Sequence, residues 1–120
     1  MIDWGVGCVT GDGGFLMMAG EVVTAKRLGL NVVFLVLADR ELSLIRIKQD
    51  EKGVENYGVE LYEGDLIDEG TFLGVPVKKV ENSQELGAAL SESLGSDGPV
   101  IIEAVINGKG YNGLITGEFR

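Results

Sequence analysis

Histidine is absent from this sequence of 120 residues, and there is only one cysteine. Without histidine, the chain can form neither a serine–histidine triad nor an imidazole acid–base pair, and one cysteine cannot build a structural zinc site. Cys8 cannot form an internal disulfide, and because it lies in an apolar stretch we predict a buried, unreactive thiol. Histidine catalysis, structural zinc and internal disulfides are therefore excluded.

Long apolar runs are also missing. The longest, Val32 to Ala38, has seven residues, whereas a membrane-spanning helix needs about 20. No basic and then apolar leader opens the chain, so nothing indicates secretion, and we expect a cytoplasmic protein that is not bound to a membrane. An apolar content of 45% is too high for a disordered chain, and the length fits one domain, residues 1–120, with a tail over 106–120.

Basic residues are few, and the charge is unevenly spread. The chain has 19 acidic and 10 basic residues, for a net charge of −9. The segment 50–70 holds eight of the acids and one base, Lys52, and we interpret it as a solvated acidic excursion. An acidic chain without a basic patch argues against nucleic-acid binding.

The order of predicted elements indicates an α/β fold. Apolar and β-branched runs predict four strands, over 2–9, 31–37, 75–80 and 99–106. Helical spacing predicts helices over Phe15–Leu28 and Leu42–Lys48, and a capping box at Asn82 and Glu85 opens a third helix that ends before Gly95. Alternation of this kind predicts a mainly parallel sheet flanked by helices, which binds ligands at the carboxyl ends of its strands.

A glycine turn, Gly11-Asp12-Gly13-Gly14, joins the first strand to the first helix. Main-chain N–H groups at such a turn favour phosphate, although a tight turn without a ligand fits the glycines equally well. The P-loop spacing is absent, and Leu16 stands where the dinucleotide fingerprint needs its third glycine. Neither familiar phosphate motif therefore applies.

Asp12 inside the turn points to a metal. A bare carboxylate about 4 Å from a diphosphate charge costs about 4 kcal/mol at an effective dielectric of 20, and a divalent cation between them removes the repulsion. Asp39 follows 27 residues later, after one helix and one strand, so the crossover returns it to the same sheet edge. Two carboxylates with phosphate oxygens suit magnesium.

These residues resemble a known motif. Gly11-Asp12-Gly13, the helix containing Glu21, the apolar strand and Asp39 resemble the thiamine diphosphate motif, and residues 6–106 are similar to the diphosphate-binding domain of the acetolactate synthase large subunit. The resemblance implies thiamine diphosphate and Mg²⁺ as cofactors. The metal contacts that it implies are the carboxylates of Asp12 and Asp39 and the main-chain carbonyl of Glu41. The cofactor contacts that it implies are Gly11, Asp12, Gly13, Gly14 and Leu42.

The resemblance also carries expectations about the rest of the protein. The domain in this family normally begins well before Gly-Asp-Gly, so we expect this one to be truncated at its N-terminus. The family's catalytic glutamate lies on a separate pyrimidine-binding domain or subunit, so no catalytic residue is assigned here and such a partner is expected, together with self-association into a homo-oligomer.

Three functions remain open on the sequence alone. The first is the cofactor-binding domain of a 2-oxo-acid carboligase such as acetolactate synthase. The second is the corresponding subunit of a two-chain 2-oxo-acid decarboxylase. The third is a non-catalytic remnant that acts as an association module.

Overall fold

The computed structural model describes residues 5–67 and 70–110. The strands in these ranges are β1 (Val6–Gly11), β2 (Val32–Ala38), β3 (Gly70–Phe72), β4 (Val75–Val80) and β5 (Val100–Val105). They form one sheet in the order β1-β2-β5-β4-β3. The pairs β1–β2, β2–β5 and β4–β5 are parallel, whereas β3 and β4 form an antiparallel hairpin. The prediction of a mainly parallel α/β sheet is confirmed.

The bounds of three predicted strands differ from the observed ones. The strand predicted over 31–37 is Val32–Ala38, and the one predicted over 99–106 is Val100–Val105. β1 continues beyond the predicted end at Val9 and includes Gly11, while residues 2–4 of the predicted strand lie outside the described residues. β3 was not predicted. It is joined to β4 by a turn in which Leu73 and Gly74 both have positive φ angles, a conformation that glycine adopts without strain.

The helices cover the crossovers between parallel strands. They are α1 (Asp12–Met18), α2 (Val22–Arg27), α3 (Ser43–Glu51) and α4 (Ser83–Leu94), with short 3₁₀ turns at Ala19–Glu21 and Gly108–Gly110. The prediction of a single helix over Phe15–Leu28 was wrong in detail. The observed helix begins at Asp12, and the first 3₁₀ turn divides it into α1 and α2 around Gly20. Glycine is a poor helix former, which fits a break at this point.

The helix-end signals behave as predicted. Gly29 follows α2 with φ +62, as expected of a glycine after a helix. At α4, Asn82 Oδ1 accepts from the Glu85 N–H at 2.9 Å, and the Glu85 carboxylate accepts from the Glu81 N–H at 2.7 Å. Gly95 ends the helix.

Apolar side chains bury the sheet on both faces. One core cluster lies beneath α1 and α2 and includes Phe15, Val22, Phe34, Val36 and Ile101. The other lies beneath α4 and includes Val33, Val80, Ala89, Val100 and Ile102. Neighbouring residues on β2 and β5 therefore enter opposite clusters, which explains why these strands are continuously apolar.

β1 forms an exposed edge of the sheet. Val6 and Val9 are more than half exposed, and Cys8 is half-buried against the first core cluster rather than fully buried as predicted. Among the described residues, no helix is both long enough and apolar enough to cross a membrane.

The segment 50–70 is solvated at its acidic side chains, as predicted, but it is not an excursion away from the fold. The acidic side chains that the structure describes here are exposed, whereas Val59 and Ile67 are buried, and Ile67 belongs to the first core cluster. A β-bridge between Glu41 and Glu60 also ties the segment to the start of α3. The described part of this segment therefore packs against the end of the sheet where β1 and β2 finish.

Candidate functional site

The carboxyl ends of β1 and β2 bring the two predicted carboxylates to one edge. The strands are parallel with Gly11 opposite Leu37, so Asp12 and Asp39 each follow directly after a strand end. A cavity of about 340 Å³ opens there. Its lining includes these predicted site residues: Gly11, Asp12, Gly13, Asp39, Glu41 and Leu42. Gly14 is not part of the lining.

Asp12 accepts three hydrogen bonds from residues that the structure describes. It is 3% exposed, and its Oδ1 accepts from the Gly13 N–H at 2.9 Å. Its Oδ2 accepts from the Arg40 N–H at 2.8 Å and from the Tyr62 hydroxyl at 2.7 Å. Arg40 itself adopts a left-handed conformation with φ 70. The carboxylate is thus fixed before any ligand arrives.

Asp39 is fixed in a similar way. Its Oδ2 accepts from the Ser43 hydroxyl at 2.5 Å, and its Oδ1 accepts from the Glu41 N–H at 3.3 Å. Gly108 packs directly against Asp39 and Ser43. A Cβ on Gly108 would lie 2.7 Å from both Asp39 Oδ2 and Ser43 Oγ. Gly108 was not predicted as part of the site, and only a residue without a side chain fits this position.

The glycine turn is crowded. A Cβ on Gly14 would lie 2.7 Å from Thr10 Oγ1, and one on Gly13 would lie 3.1 Å from Leu42 Cδ2. The Gly13 N–H, predicted to hold a diphosphate, donates here to Asp12. That N–H therefore helps to position the carboxylate.

Glu41 contributes differently from the two aspartates. Its side chain forms an ion pair with Arg46 and therefore has a structural role. Its main chain is fixed by the neighbouring hydrogen bonds of the bridge, from the Leu42 N–H to the Val59 carbonyl and from the Leu61 N–H to the Arg40 carbonyl. The predicted metal contact through the Glu41 carbonyl stays a prediction.

The donor set suits magnesium. Among residues 5–67 and 70–110, no three His, Cys, Asp or Glu side chains are grouped so as to hold a metal by themselves. Two fixed carboxylates and one carbonyl are all-oxygen donors, and Mg²⁺ takes few protein ligands and keeps positions for phosphate oxygens and water. The residues present therefore fit a magnesium ion that bridges to a phosphate group.

Two further residues were missed by the sequence analysis. Tyr62 comes from the acidic segment, which has no periodicity that could have placed it. Burial and the neighbouring Asp12 raise the pKa of the Tyr62 phenol, so the hydroxyl stays protonated and donates. Glu103 on β5 is 1% exposed, and an acid inside an apolar strand was a visible signal.

Glu103 attaches the acidic segment to β5. Its Oε1 accepts from the Leu66 N–H at 2.8 Å. Its buried Oε2 has no hydrogen-bond partner within the described part of the chain and lies 4.0 Å from Lys79 Nζ. Burial raises the pKa of Glu103, and the Leu66 N–H and Lys79 oppose that rise. The segment that carries Tyr62 is therefore held to β5 by a hydrogen bond to a buried carboxylate.

Comparison with known proteins identifies the family of this chain. Residues 3–104 match the family described as "Thiamine pyrophosphate enzyme, C-terminal TPP binding domain". The chain is 31% identical over 106 residues to the acetolactate synthase isozyme 2 large subunit of Escherichia coli, covering 83% of this chain and 19% of that protein. It is 30% identical over 99 residues to an acetolactate synthase of Bacillus subtilis, covering 82% and 17%.

Solved structures share the fold. A thiamine diphosphate-dependent 4-hydroxybenzoylformate decarboxylase of Rhodococcus jostii superposes with a TM-score of 0.76 at 21% identity, over 88% of this chain and 20% of that chain. The chain thus spans about a fifth of the length of the proteins that it matches. A mainly parallel sheet with two carboxylates at one edge defines an α/β domain with a candidate site for a metal and a phosphate group. The chain belongs to the thiamine pyrophosphate (thiamine diphosphate) enzyme family and represents its C-terminal TPP-binding domain.

Proposed function

We propose that this domain binds thiamine diphosphate through a Mg²⁺ ion held by Asp12, Asp39 and the Glu41 carbonyl, as the cofactor-anchoring part of a 2-oxo-acid carboligase of the acetolactate synthase type. The observation that carries the proposal is the pair of carboxylates, each fixed by hydrogen bonds, at the ends of neighbouring parallel strands beside one cavity.

Electrostatics explains why the cation and the cofactor belong together. Asp12 and Asp39 bring negative charge to a site that would receive a diphosphate, and each close pair of like charges costs about 4 kcal/mol at 4 Å and an effective dielectric of 20. A divalent cation between them converts both repulsions into attractions. We therefore expect the diphosphate to bind well only with the metal.

The domain's role is to anchor and orient. Thiamine diphosphate supplies the carbanion chemistry when bound. Asp12 and Asp39 would hold the cation, and Leu42, which packs close to Gly13, would contact the cofactor from the start of α3. We propose that the catalytic glutamate comes from a pyrimidine-binding domain or subunit that completes the site.

Sequence similarity favours a carboligase over a decarboxylase. The relatives at 30% and 31% identity are named acetolactate synthases, whereas the decarboxylase structure at 21% identity supports only the shared fold. The carboligase is therefore the function proposed.

Calorimetric titration tests the metal site. Thiamine diphosphate, Mg²⁺ and the two together are titrated into the wild-type chain and into the Asp12→Asn and Asp39→Ala variants. The expected result is that each ligand strengthens binding of the other in the wild type, and that each variant weakens Mg²⁺ binding by about tenfold or more. Asp97→Asn, at an exposed carboxylate near the opposite ends of the strands, is the matched control. Unchanged affinity in both site variants would refute the proposal.

A further inference from the structure

The hydrogen bonds on Asp12 distinguish its two oxygens. A carboxylate oxygen has two lone pairs. Among residues 5–67 and 70–110, Oδ2 accepts two hydrogen bonds, from the Arg40 N–H at 2.8 Å and the Tyr62 hydroxyl at 2.7 Å, whereas Oδ1 accepts one, from the Gly13 N–H at 2.9 Å. Both acceptor positions of Oδ2 are therefore occupied, and Oδ1 keeps one for a ligand.

We infer that Tyr62 is a positioning residue for the cation: together with the Arg40 N–H it saturates Oδ2, so that Asp12 binds the metal through Oδ1 alone. This inference rests on the proposed function, because it concerns the same cation. It assigns a role to a side chain outside the glycine turn and outside the strand that precedes Asp39. A carboxylate locked by outer hydrogen bonds binds its metal more tightly than one that can rotate.

The main chain around Tyr62 is anchored on both sides. Before it, the Leu61 N–H donates to the Arg40 carbonyl at 2.9 Å. After it, the Leu66 N–H donates to Glu103 Oε1 at 2.8 Å, and Ile67 is buried in the first core cluster. The hydroxyl is therefore presented to Asp12 by a segment that is fixed independently of Asp12.

If Tyr62 competed with the cation instead of positioning Asp12, removing its hydroxyl would have the opposite effect on metal binding. If Tyr62 occupied the position that the cation needs, binding would have to break its hydrogen bond, and removing the hydroxyl would tighten metal binding. If Tyr62 positions Asp12, removing the hydroxyl leaves Oδ2 with a free lone pair and the carboxylate with a freer rotation. Metal binding then weakens.

The test measures binding of Mn²⁺, used alone as a substitute for Mg²⁺, by loss of the free-ion electron paramagnetic resonance signal. The full chain is compared with Tyr62→Phe and with Tyr57→Phe, the same chemical change at a tyrosine that is 87% exposed. Asp65→Asn removes the negative charge that pairs with Lys79 Nζ at 2.8 Å, and so weakens a contact of the same segment without altering a group that binds Asp12. The Asp12→Asn variant gives the background binding of Mn²⁺ to the rest of this acidic chain.

We expect Tyr62→Phe to weaken the Asp12-dependent binding by about tenfold, with Tyr57→Phe and Asp65→Asn close to wild type. Equal or tighter binding in Tyr62→Phe would overturn the inference and leave the proposed function intact. The same loss in Asp65→Asn would also overturn it, because the effect would then belong to the segment and not to the hydroxyl. No Asp12-dependent binding in the wild type would overturn both the proposed function and this inference.

Discussion

Gly14 and Thr10 face each other across the turn between β1 and α1 so closely that a Cβ on Gly14 would lie 2.7 Å from Thr10 Oγ1. Real Cβ atoms do not approach other atoms at this distance, and the threonine oxygen sits on a stiff, β-branched side chain. The turn that carries Asp12 therefore depends on the absence of a side chain at position 14, whether or not a cofactor is bound.

The first prediction follows from this contact. Gly14→Ala is expected to destabilise the fold by about 1–3 kcal/mol, as overpacking typically does. Urea unfolding measures the loss. Gly20→Ala, where a Cβ meets nothing within 4 Å, is the control and is expected to be neutral or stabilising by up to about 1 kcal/mol.

Thr10→Ala combined with Gly14→Ala is expected to restore most of the stability. A double variant as unstable as Gly14→Ala alone would show that the clash is elsewhere.

Asp39 provides the second prediction. Asparagine at this position keeps one oxygen that can accept from Ser43, but it loses the charge, whereas alanine loses both. We expect Asp39→Asn to retain measurable Mg²⁺ binding in the presence of thiamine diphosphate and Asp39→Ala to lose it, so the affinities should fall in the order Asp, Asn, Ala. Titration calorimetry gives the order. Equal affinities for Asn and Ala would mean that the oxygen of Asp39 does not coordinate the metal.

Glu103 provides the third prediction, on pH. Because burial raises its pKa above the ordinary value of 4.5, the folded chain holds its proton more strongly than the unfolded chain. The free energy of unfolding therefore receives a contribution that decreases as pH rises from 4.5 through the raised pKa of the folded state. Glu103→Gln removes this dependence and keeps an oxygen for the Leu66 N–H.

The stability of Glu103→Gln relative to the wild type should consequently increase as the pH rises through that window, and the two proteins should approach each other below pH 4.5. Denaturant unfolding at a series of pH values measures the difference. Glu55→Gln, at an exposed glutamate, controls for the loss of one negative charge. A difference that is constant with pH would contradict the prediction.

The parts of the site that the sequence could predict are those set by local pattern and spacing. Continuous apolar strands and the 27-residue interval were enough to place Asp12 and Asp39 at one sheet edge. Tyr62 and Gly108 could not be predicted, because each reaches the site from a segment without periodicity. The contact between Tyr62 and Asp12 spans 50 residues. Such a contact depends on how Val59 and Ile67 pack, which no local pattern encodes.

The fourth prediction concerns activity. If the family's catalytic glutamate lies on a separate pyrimidine-binding domain, these 120 residues purified alone should not convert pyruvate, even with thiamine diphosphate and Mg²⁺. Activity should appear only when a pyrimidine-binding partner is added, and Asp12→Asn should abolish it, while Asp97→Asn should not. Turnover of pyruvate by the purified chain alone would show that the site is complete within it.

The fifth prediction is that the chain associates with a second copy through β1. Val9 is 66% exposed on this edge strand, and Met17 on α1 is 90% exposed. Edge strands with apolar side chains pair readily, and a lysine in the strand blocks that pairing. Sedimentation at micromolar concentration is expected to show an oligomer for the wild type and a monomer for Val9→Lys. Leu73→Lys is the control, because Leu73 is 53% exposed but lies beside β3 at the opposite edge of the sheet. A wild-type monomer would contradict the association, and dissociation by Leu73→Lys but not by Val9→Lys would place the interface at the other edge.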